Sequence, residues 1–555
     1  MDWNLAYLPF IPALPFGAGL IAWFTKSRSL AGGLVFSAVL VSLILSGTVA
    51  YDQQRRSDGP EAGGIISRNQ PHVAIGGVYG PVSAQAVGGA IPGVRLGMDG
   101  LNAGLVILTA LVGALTVLAS WRLPLNQAHH YFGCLGCLIG LTLLAFLAQD
   151  LLVFYIGFEL TLVPLFLLVG QWGGPNRQAA STKMIIYTLS GGFLTLLGIL
   201  GLAVQSGGVT EFGWEELARL AARLDEGSVS GKLAPPLLFL LICAGFVVKI
   251  PLIPFHSWQP VAYAEAPTPV TAFLSAVLAK LGLYGILRVA ILLMPVQAAS
   301  IGVTVLVPLA VLSILYGSFC AFGARDLKSI LAYGSISHLG YALLGMLSLN
   351  RIGIEGALFH MIGHGVVTAG MLFAAGMLQE REGSLLLANL GGLAARYRVL
   401  GAFMVLFALA SVGVPGLAQF VGEFLCLVGY LGSAEYGQGL SVAICVLAGL
   451  FLGGWYTVTM LQRVFFGPLK PNQSSLSQLA ENISSRMTLT EWCVLTPLAL
   501  LTVLLGIFPQ LVLKAPRTEA AYLEREVKRV DALSFTKSEG VASRGLKLAL
   551  SKVQD

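Results

Sequence analysis

The sequence predicts an all-α integral membrane protein of about fourteen transmembrane helices, and three observations lead there. Of 555 residues, 56% are hydrophobic and only 11% charged. The mean hydropathy is +0.80, a balance foreign to a water-soluble domain of this length. Charges gather in short clusters, and between them lie apolar runs of roughly 18 to 25 residues, what a helix needs to cross about 30 Å of hydrocarbon. Two of those runs are broken by proline and glycine, which a bilayer tolerates only where protein or internal water satisfies the freed backbone groups.

Taken in order, the spacing predicts spans at 5–24, 30–50, 99–119, 131–148, 150–170, 182–205, 236–255, 266–292, 301–321, 329–348, 354–378, 401–431, 437–464 and 490–513. The N-terminus lacks a basic segment and a small-residue cleavage site, so 5–24 reads as a span rather than a signal peptide. Residues 51–98 are glycine-rich, show no helical period and read as a long external loop. The first break is Lys249-Ile250-Pro251-Leu252-Ile253-Pro254 and the second Gly413-Val414-Pro415-Gly416. If spans four to eight and nine to thirteen are two repeats, the breaks occupy corresponding fourth positions, the usual pointer to an ion-handling site. Three regions follow: 1–98 with the first helices and the loop, a core at 99–470, and 471–555 with the last span and a tail.

Lys26, Arg28, Arg122, Arg177, Arg325, Lys328, Arg381, Arg396, Arg398 and Arg463 all fall on one side if the chain alternates, and that side should be cytoplasmic. Both termini then lie outside. In the tail, Leu523, Val527 and Val530 recur at helical spacing among charges, which suggests an amphipathic helix on the membrane or on a partner. The net charge of +6 is spread over loops and tail and fits membrane-surface contact better than nucleic-acid binding. Seven cysteines, mostly within apolar stretches, give no disulfide framework, and Cys134 and Cys137 read as helix packing rather than a metal or redox pair.

Function is sought in the ionisable groups set inside apolar runs. Glu159, Lys249, Lys280 and Glu423 are four of these, and a Lys or Asp at a helix centre costs roughly 2.5 to 3.5 kcal/mol on insertion. A helix-gluing ion pair between Glu159 and Lys249 would account for two and leave two. Groups that change charge can carry protons: a desolvated lysine gives up its proton more readily, and a nearby carboxylate restores it. His338 and His364 lie between Lys280 and Glu423 in chain order, and imidazole relays protons in both directions. His360 lies one turn before His364. Metal or haem ligation is the alternative use of that pair, but no cysteine or carboxylate cluster at metal spacing accompanies it. Dinucleotide, phosphate-loop and iron–sulfur patterns are missing, so no redox cofactor is expected in this chain.

At these residues the sequence resembles the antiporter-like membrane subunits of respiratory complex I, also found in multisubunit cation/proton antiporters and membrane-bound hydrogenases. The resemblance rests on the run from Lys249 through Phe255-His256-Ser257-Trp258-Gln259-Pro260, on Ala264-Glu265-Ala266-Pro267-Thr268-Pro269-Val270, on Arg325-Asp326-Leu327-Lys328-Ser329 with Ser337-His338-Leu339-Gly340, and on His360-Met361-Ile362-Gly363-His364-Gly365. It covers most of residues 90–470. Phe158 stands where that family usually has Trp, and Gln259-Pro260-Val261 lacks its frequent Asp. The resemblance implies two inverted antiporter-like repeats, each with one broken helix. It makes Glu159 and Lys249 a modulating ion pair, Lys280 the central relay lysine, His338 and His364 the connecting relay and Glu423 the distal site. A glutamate after the second break resembles the chain M type, the counterpart of mitochondrial subunit 4. The implied function is a proton-translocating membrane-arm subunit of an NADH:quinone oxidoreductase in a bacterial inner membrane. NAD, FMN, iron–sulfur clusters and quinone would then lie in partner subunits, and neighbouring antiporter-like chains would be direct partners.

Overall fold

The computed structural model describes residues 7–57, 95–205, 217, 233–433, 439–468, 486–525 and 527–528. Most of the 51–98 loop and Val530 of the tail lie outside them. Among the described residues the architecture is helical, with only two isolated β-bridges, Leu96 to Ala148 and Asp326 to Leu386. Eleven helices are long and apolar enough to cross a membrane by length and composition, and four more are apolar but shorter. With the eight-residue helix Trp258–Glu265 added, they are in chain order α1 (Phe10–Phe24), α2 (Arg28–Ser57), α3 (Ala103–Ser120), α4 (Ala128–Leu147), α5 (Leu151–Trp172), α6 (Arg177–Gln205), α7 (Pro235–Lys249), α8 (Trp258–Glu265), α9 (Thr268–Ile291), α10 (Pro295–Gly323), α11 (Leu327–Leu347), α12 (Arg351–Glu382), α13 (Arg398–Ser411), α14 (Ala418–Gly432), α15 (Gly439–Phe466) and α16 (Leu489–Ile507). The second helix runs on to Ser57, well into the segment read as loop.

Polar side chains set the helix starts. Asp150 accepts from the N–H groups of Leu152 and Val153 to open α5, Asp326 opens α11, and Asn350 opens α12. Thr488 and Glu491 form a reciprocal capping box on α16. Thr488→Ala should therefore destabilise the folded chain by about 1 kcal/mol, read as a lowered melting temperature of the solubilised complex.

Burial sorts the helices into a centre and a periphery. Every residue of α9 is buried, and α11 and α12 are nearly so. By contrast α6, α10 and α15 expose rows of large apolar side chains, among them Phe193, Phe319 and Phe451, as lipid-facing helices must. The pair Cys134 and Cys137 lies in a packed helix, and all seven cysteines are unbridged. Close approach there belongs to the neighbouring glycines: a Cβ on Gly136 would lie 2.8 Å from the Gly19 Cα of α1.

Both interruptions are real, and each is closed by its neighbours. Span 236–255 ends at Lys249 and resumes as α8. Across the gap the Trp258 indole donates to the Val248 carbonyl (3.0 Å) and the Ile253 N–H donates to Ser313 Oγ on α10 (3.0 Å). These bonds satisfy backbone groups that the break leaves without helical partners. Span 401–431 divides into α13 and α14 because Gly413 and Gly416 take φ of 82° and 90°, a left-handed region that side chains other than glycine avoid.

The amphipathic tail lies on the chain itself. Residues 517–525 are helical, and Ala520, Leu523 and Val527 are buried. Its apolar face covers the end of the bundle where α3 and α12 begin and α9 ends, through bonds from the Gly100 and Arg351 N–H groups to Glu519 and Glu524. The expectation of a tail lying on the bilayer or a partner is corrected accordingly, because the same stripe finds apolar surface within its own fold.

Candidate functional site

The central helix places Lys280 at the middle of the molecule. Widened π-helical turns occupy Leu274–Leu278 and Ile286–Ile291 on either side of it, a distortion often found at functional positions. The Lys280 ammonium folds back to donate to the Ser275 carbonyl (2.6 Å) and reaches His364 Nδ1 on α12 (2.7 Å). With the ammonium donating, His364 must present a lone pair at Nδ1 and carry its proton on Nε2, which faces Thr368 Oγ1 at 3.1 Å. A proton can pass between Lys280 and His364 without either moving.

Three imidazoles then form a triangle. Ring centroids lie 5.3 Å apart for His338 and His364, 5.8 Å for His338 and His360, and 6.0 Å for His360 and His364. His360 Nε2 donates to the His338 carbonyl (3.0 Å), so its other nitrogen, which has no hydrogen-bond partner, is left as an acceptor. A cavity of about 10 Å³ adjoins His338 and His364 and is also lined by Ser335, Thr368, Ser411 and Tyr456. That is about the room one water needs.

His338 also reaches Glu423. Its Nδ1 lies 3.2 Å from Glu423 Oε1 and 2.8 Å from Gln419 Nε2, while Nε2 meets Ser411 Oγ at 3.3 Å. One nitrogen cannot accept from Gln419 and donate to Glu423 at once. His338 therefore has two hydrogen-bonding states that differ by where its proton sits. Glu423 sits directly over the second break: a Cβ on Gly413 would lie 2.6 Å from Glu423 Oε2. The glycine that turns the chain also makes room for the carboxylate.

The structure thus joins four of the six site residues predicted from sequence, Lys280, His364, His338 and Glu423, in one line of buried groups. The other two are not paired. Lys249 donates to the Phe158 carbonyl (2.6 Å) and to Thr161 Oγ1 (3.1 Å) and stands 3.6 Å over the Phe158 ring. Glu159 keeps both oxygens buried without a hydrogen-bond partner, packed on Gly192 of α6. The expected Glu159–Lys249 contact is therefore open. The reason is local: the α5 backbone is disturbed at Thr161, between its two helical stretches, and presents a carbonyl and a hydroxyl nearer to the ammonium than the carboxylate is. The Phe158 ring beside Lys249 also packs on Phe246 at 5.4 Å, and Phe154 packs on Tyr284 at 6.0 Å.

Sequence reading missed Ser275, Thr368, Ser411 and Gln419, and set His360 aside. Thr368 and Gln419 each lie four residues from a predicted relay member, on the same helical face, and that spacing is the signal that could have found them. Nor did it foresee that one donor atom each of His338, His360 and Glu423 would lie within 4.8 Å of one another, because the three come from separate turns of three helices.

Comparison with known proteins bears on the family and the fold. Residues 148–451 match the model of the NADH:quinone oxidoreductase/Mrp antiporter transmembrane family. A NAD(P)H-quinone oxidoreductase chain 4 of Synechococcus sp. is 36% identical over 419 residues, 75% of this chain and 76% of that protein. The NADH-quinone oxidoreductase subunit M of Rhodobacter capsulatus is 33% identical over 425 residues, 75% of this chain and 79% of that protein. Among solved structures, a chain of respiratory complex I from Thermus thermophilus superimposes with a TM-score of 0.77 and 27% identity, covering 94% of this chain and 99% of that one. On sequence and fold alike, the chain belongs to the NADH:quinone oxidoreductase/Mrp antiporter transmembrane family.

Proposed function

We propose that this chain is a proton-translocating membrane-arm subunit of an NADH:quinone oxidoreductase, of the chain M type, in a bacterial inner membrane. The observation that carries the reading is the buried line from Lys280 through His364 and His338 to Glu423. The relatives named as chain 4 and subunit M support the parent complex. NADH, FMN, iron–sulfur clusters and quinone belong to partner subunits in this reading, and neighbouring antiporter-like chains pack against this one.

In the proposed cycle Lys280 hands a proton to His364, the imidazoles carry it to His338, and Glu423 receives it. The switch is Glu159. Bringing its carboxylate to about 4 Å from the Lys249 ammonium is worth about 4 kcal/mol at an effective dielectric near 20. Moving one charge against 100 mV takes about 2.3 kcal/mol. Only the difference between the closed and the open arrangement is available to the cycle, and the open arrangement is one of its two states.

Two measurements test this. Purifying the assembled complex should recover flavin and iron–sulfur subunits with this chain; recovery of cation/proton antiporter subunits alone would assign it to the other branch of the family. Gly192→Val, which places a side chain where the Glu159 carboxylate rests, should remove most of the proton translocation while NADH oxidation by the assembled complex continues. An unchanged proton-to-electron ratio would overturn the role given to Glu159.

A further inference from the structure

The tail is the part of the described chain that the relay leaves unused, and its attachment is chemically unusual. Glu519 Oε1 accepts from the Gly100 N–H at 3.0 Å, while its Oε2 is buried without a partner. The neighbouring Asp99 is much better provided: Oδ1 accepts from the N–H groups of Leu101 (3.0 Å) and Asn102 (3.1 Å), and Oδ2 pairs with Arg288 of α9 at 2.5 Å. Arg288 also donates to Gln149 at 2.8 Å. Among the described residues, the buried Asp99 carboxylate and the partly buried Glu519, whose Oε2 is withdrawn from water, thus share one guanidinium, which leaves a negative charge in excess. A proton removes the excess, and Glu519 is where it goes, since Asp99 is already held by three donors. Burial, and then the Asp99 charge, push the Glu519 carboxyl up to about 7, against the opposing pull of the Gly100 N–H and Arg288.

We propose that Glu519, with Asp99 and Arg288, forms a proton-binding site that fastens the tail helix 517–525 to the end of the bundle, held when the site carries a proton and loosened when it loses it. The remaining charged groups at this attachment do not reverse that response. Glu524 accepts from the Arg351 N–H (3.2 Å) and pairs with Lys528 (2.7 Å), and the Lys528 contact holds its carboxyl below the usual range. Arg351 pairs with Glu355 at 2.9 Å, and Arg517 adds its positive charge beside Glu355. For the sign, a carboxyl whose docked value lies above its value in water favours docking below that docked value. Attachment is then strongest below the ordinary carboxylate range and is lost as pH rises through about 7.

The latch spans the ends of α9 and α12, the helices that carry Lys280 and His364. Resting on the proposed function and on both termini facing outside, it would report the acidity of the compartment into which protons are delivered to the helices that deliver them. Testing it needs no pumping measurement, so its failure and that of the proposed function are distinguishable. Hydrogen exchange in the intact complex, corrected for intrinsic rates, should show protection of residues 517–525 falling about tenfold between about pH 6 and about pH 8. Glu519→Gln, uncharged throughout, should keep the low-pH protection at both values. Gly100→Val, whose side chain would collide with the Ala515 carbonyl and Glu519, should lose protection at both. Equal protection of the wild-type tail at the two pH values, the same pH dependence in Glu519→Gln, or full protection in Gly100→Val would each overturn the proposal.

Discussion

Lys280→Met is expected to stop proton translocation through this chain while the complex still assembles and oxidises NADH. Lys280 is fully buried, and its ammonium is held by one carbonyl and one imidazole, without a carboxylate in contact. Replacing a buried charge by an apolar side chain of similar length is often neutral or stabilising, because desolvation no longer opposes folding. Assembly should therefore survive. Transport should not, because His364 Nδ1 loses the group from which it takes its proton. Lys280→Arg makes the argument sharper. It keeps the charge and the donors, yet a guanidinium does not release its proton in proteins, so it too should be inactive. The measurement is protons moved per electron in sealed vesicles, compared with NADH oxidation. A Lys280→Arg variant that pumps normally would show that Lys280 acts only as a fixed charge.

Glu423→Gln is the second expected loss. The amide nearly matches the carboxylate in shape and keeps a hydrogen-bonding group beside His338 and Gln419. It should therefore perturb packing little. What it removes is the group that can be protonated: the amide oxygen can still accept from His338 Nδ1, but it cannot take the proton up. Without a carboxylate at the end of the line the imidazole has nowhere to send its proton. Translocation should fall as far as in Lys280→Met, with assembly intact. Glu423→Ala should have the same transport defect and in addition destabilise the α13–α14 break, where the carboxylate fills the space above Gly413. A Glu423→Gln complex with an undiminished proton-to-electron ratio would remove Glu423 from the relay.

Much of this was legible in the sequence, for reasons that differ by residue. The breaks at 249–254 and 413–416 announce themselves because proline and glycine act on their own backbone wherever they stand. The buried ionisable groups announce themselves because apolar neighbours on both sides leave a charge no route to water. Asking which such groups could serve one another named Lys280, His338, His364 and Glu423 as members of one relay, but that Lys280 meets His364 and His338 meets Glu423 came from the structure. The same reasoning failed for Glu159 and Lys249. Opposite charges near one break suggest a contact, but the ammonium takes the Phe158 carbonyl and Thr161 hydroxyl instead. The tail misled in a related way: Leu523 and Val527 correctly signal an amphipathic helix, yet spacing says only that a face must be covered, not by what.

What the sequence determined by itself were properties of one residue and its flanks: which segments must leave water, where helices must stop, and which side chains carry a cost that packing alone would not explain. What only the tertiary structure decided were pairings. His360 closing the triangle with His338 and His364, Glu159 resting on Gly192 rather than on Lys249, and Glu519 reaching Gly100 across the whole chain are of this kind. The physical reason is that a burial cost is set by the residue's own environment and can be read along the chain. A proton or an ion pair passes between partners only within about 3 Å. Distances that short are fixed by how helices far apart in sequence pack, and no periodicity encodes them.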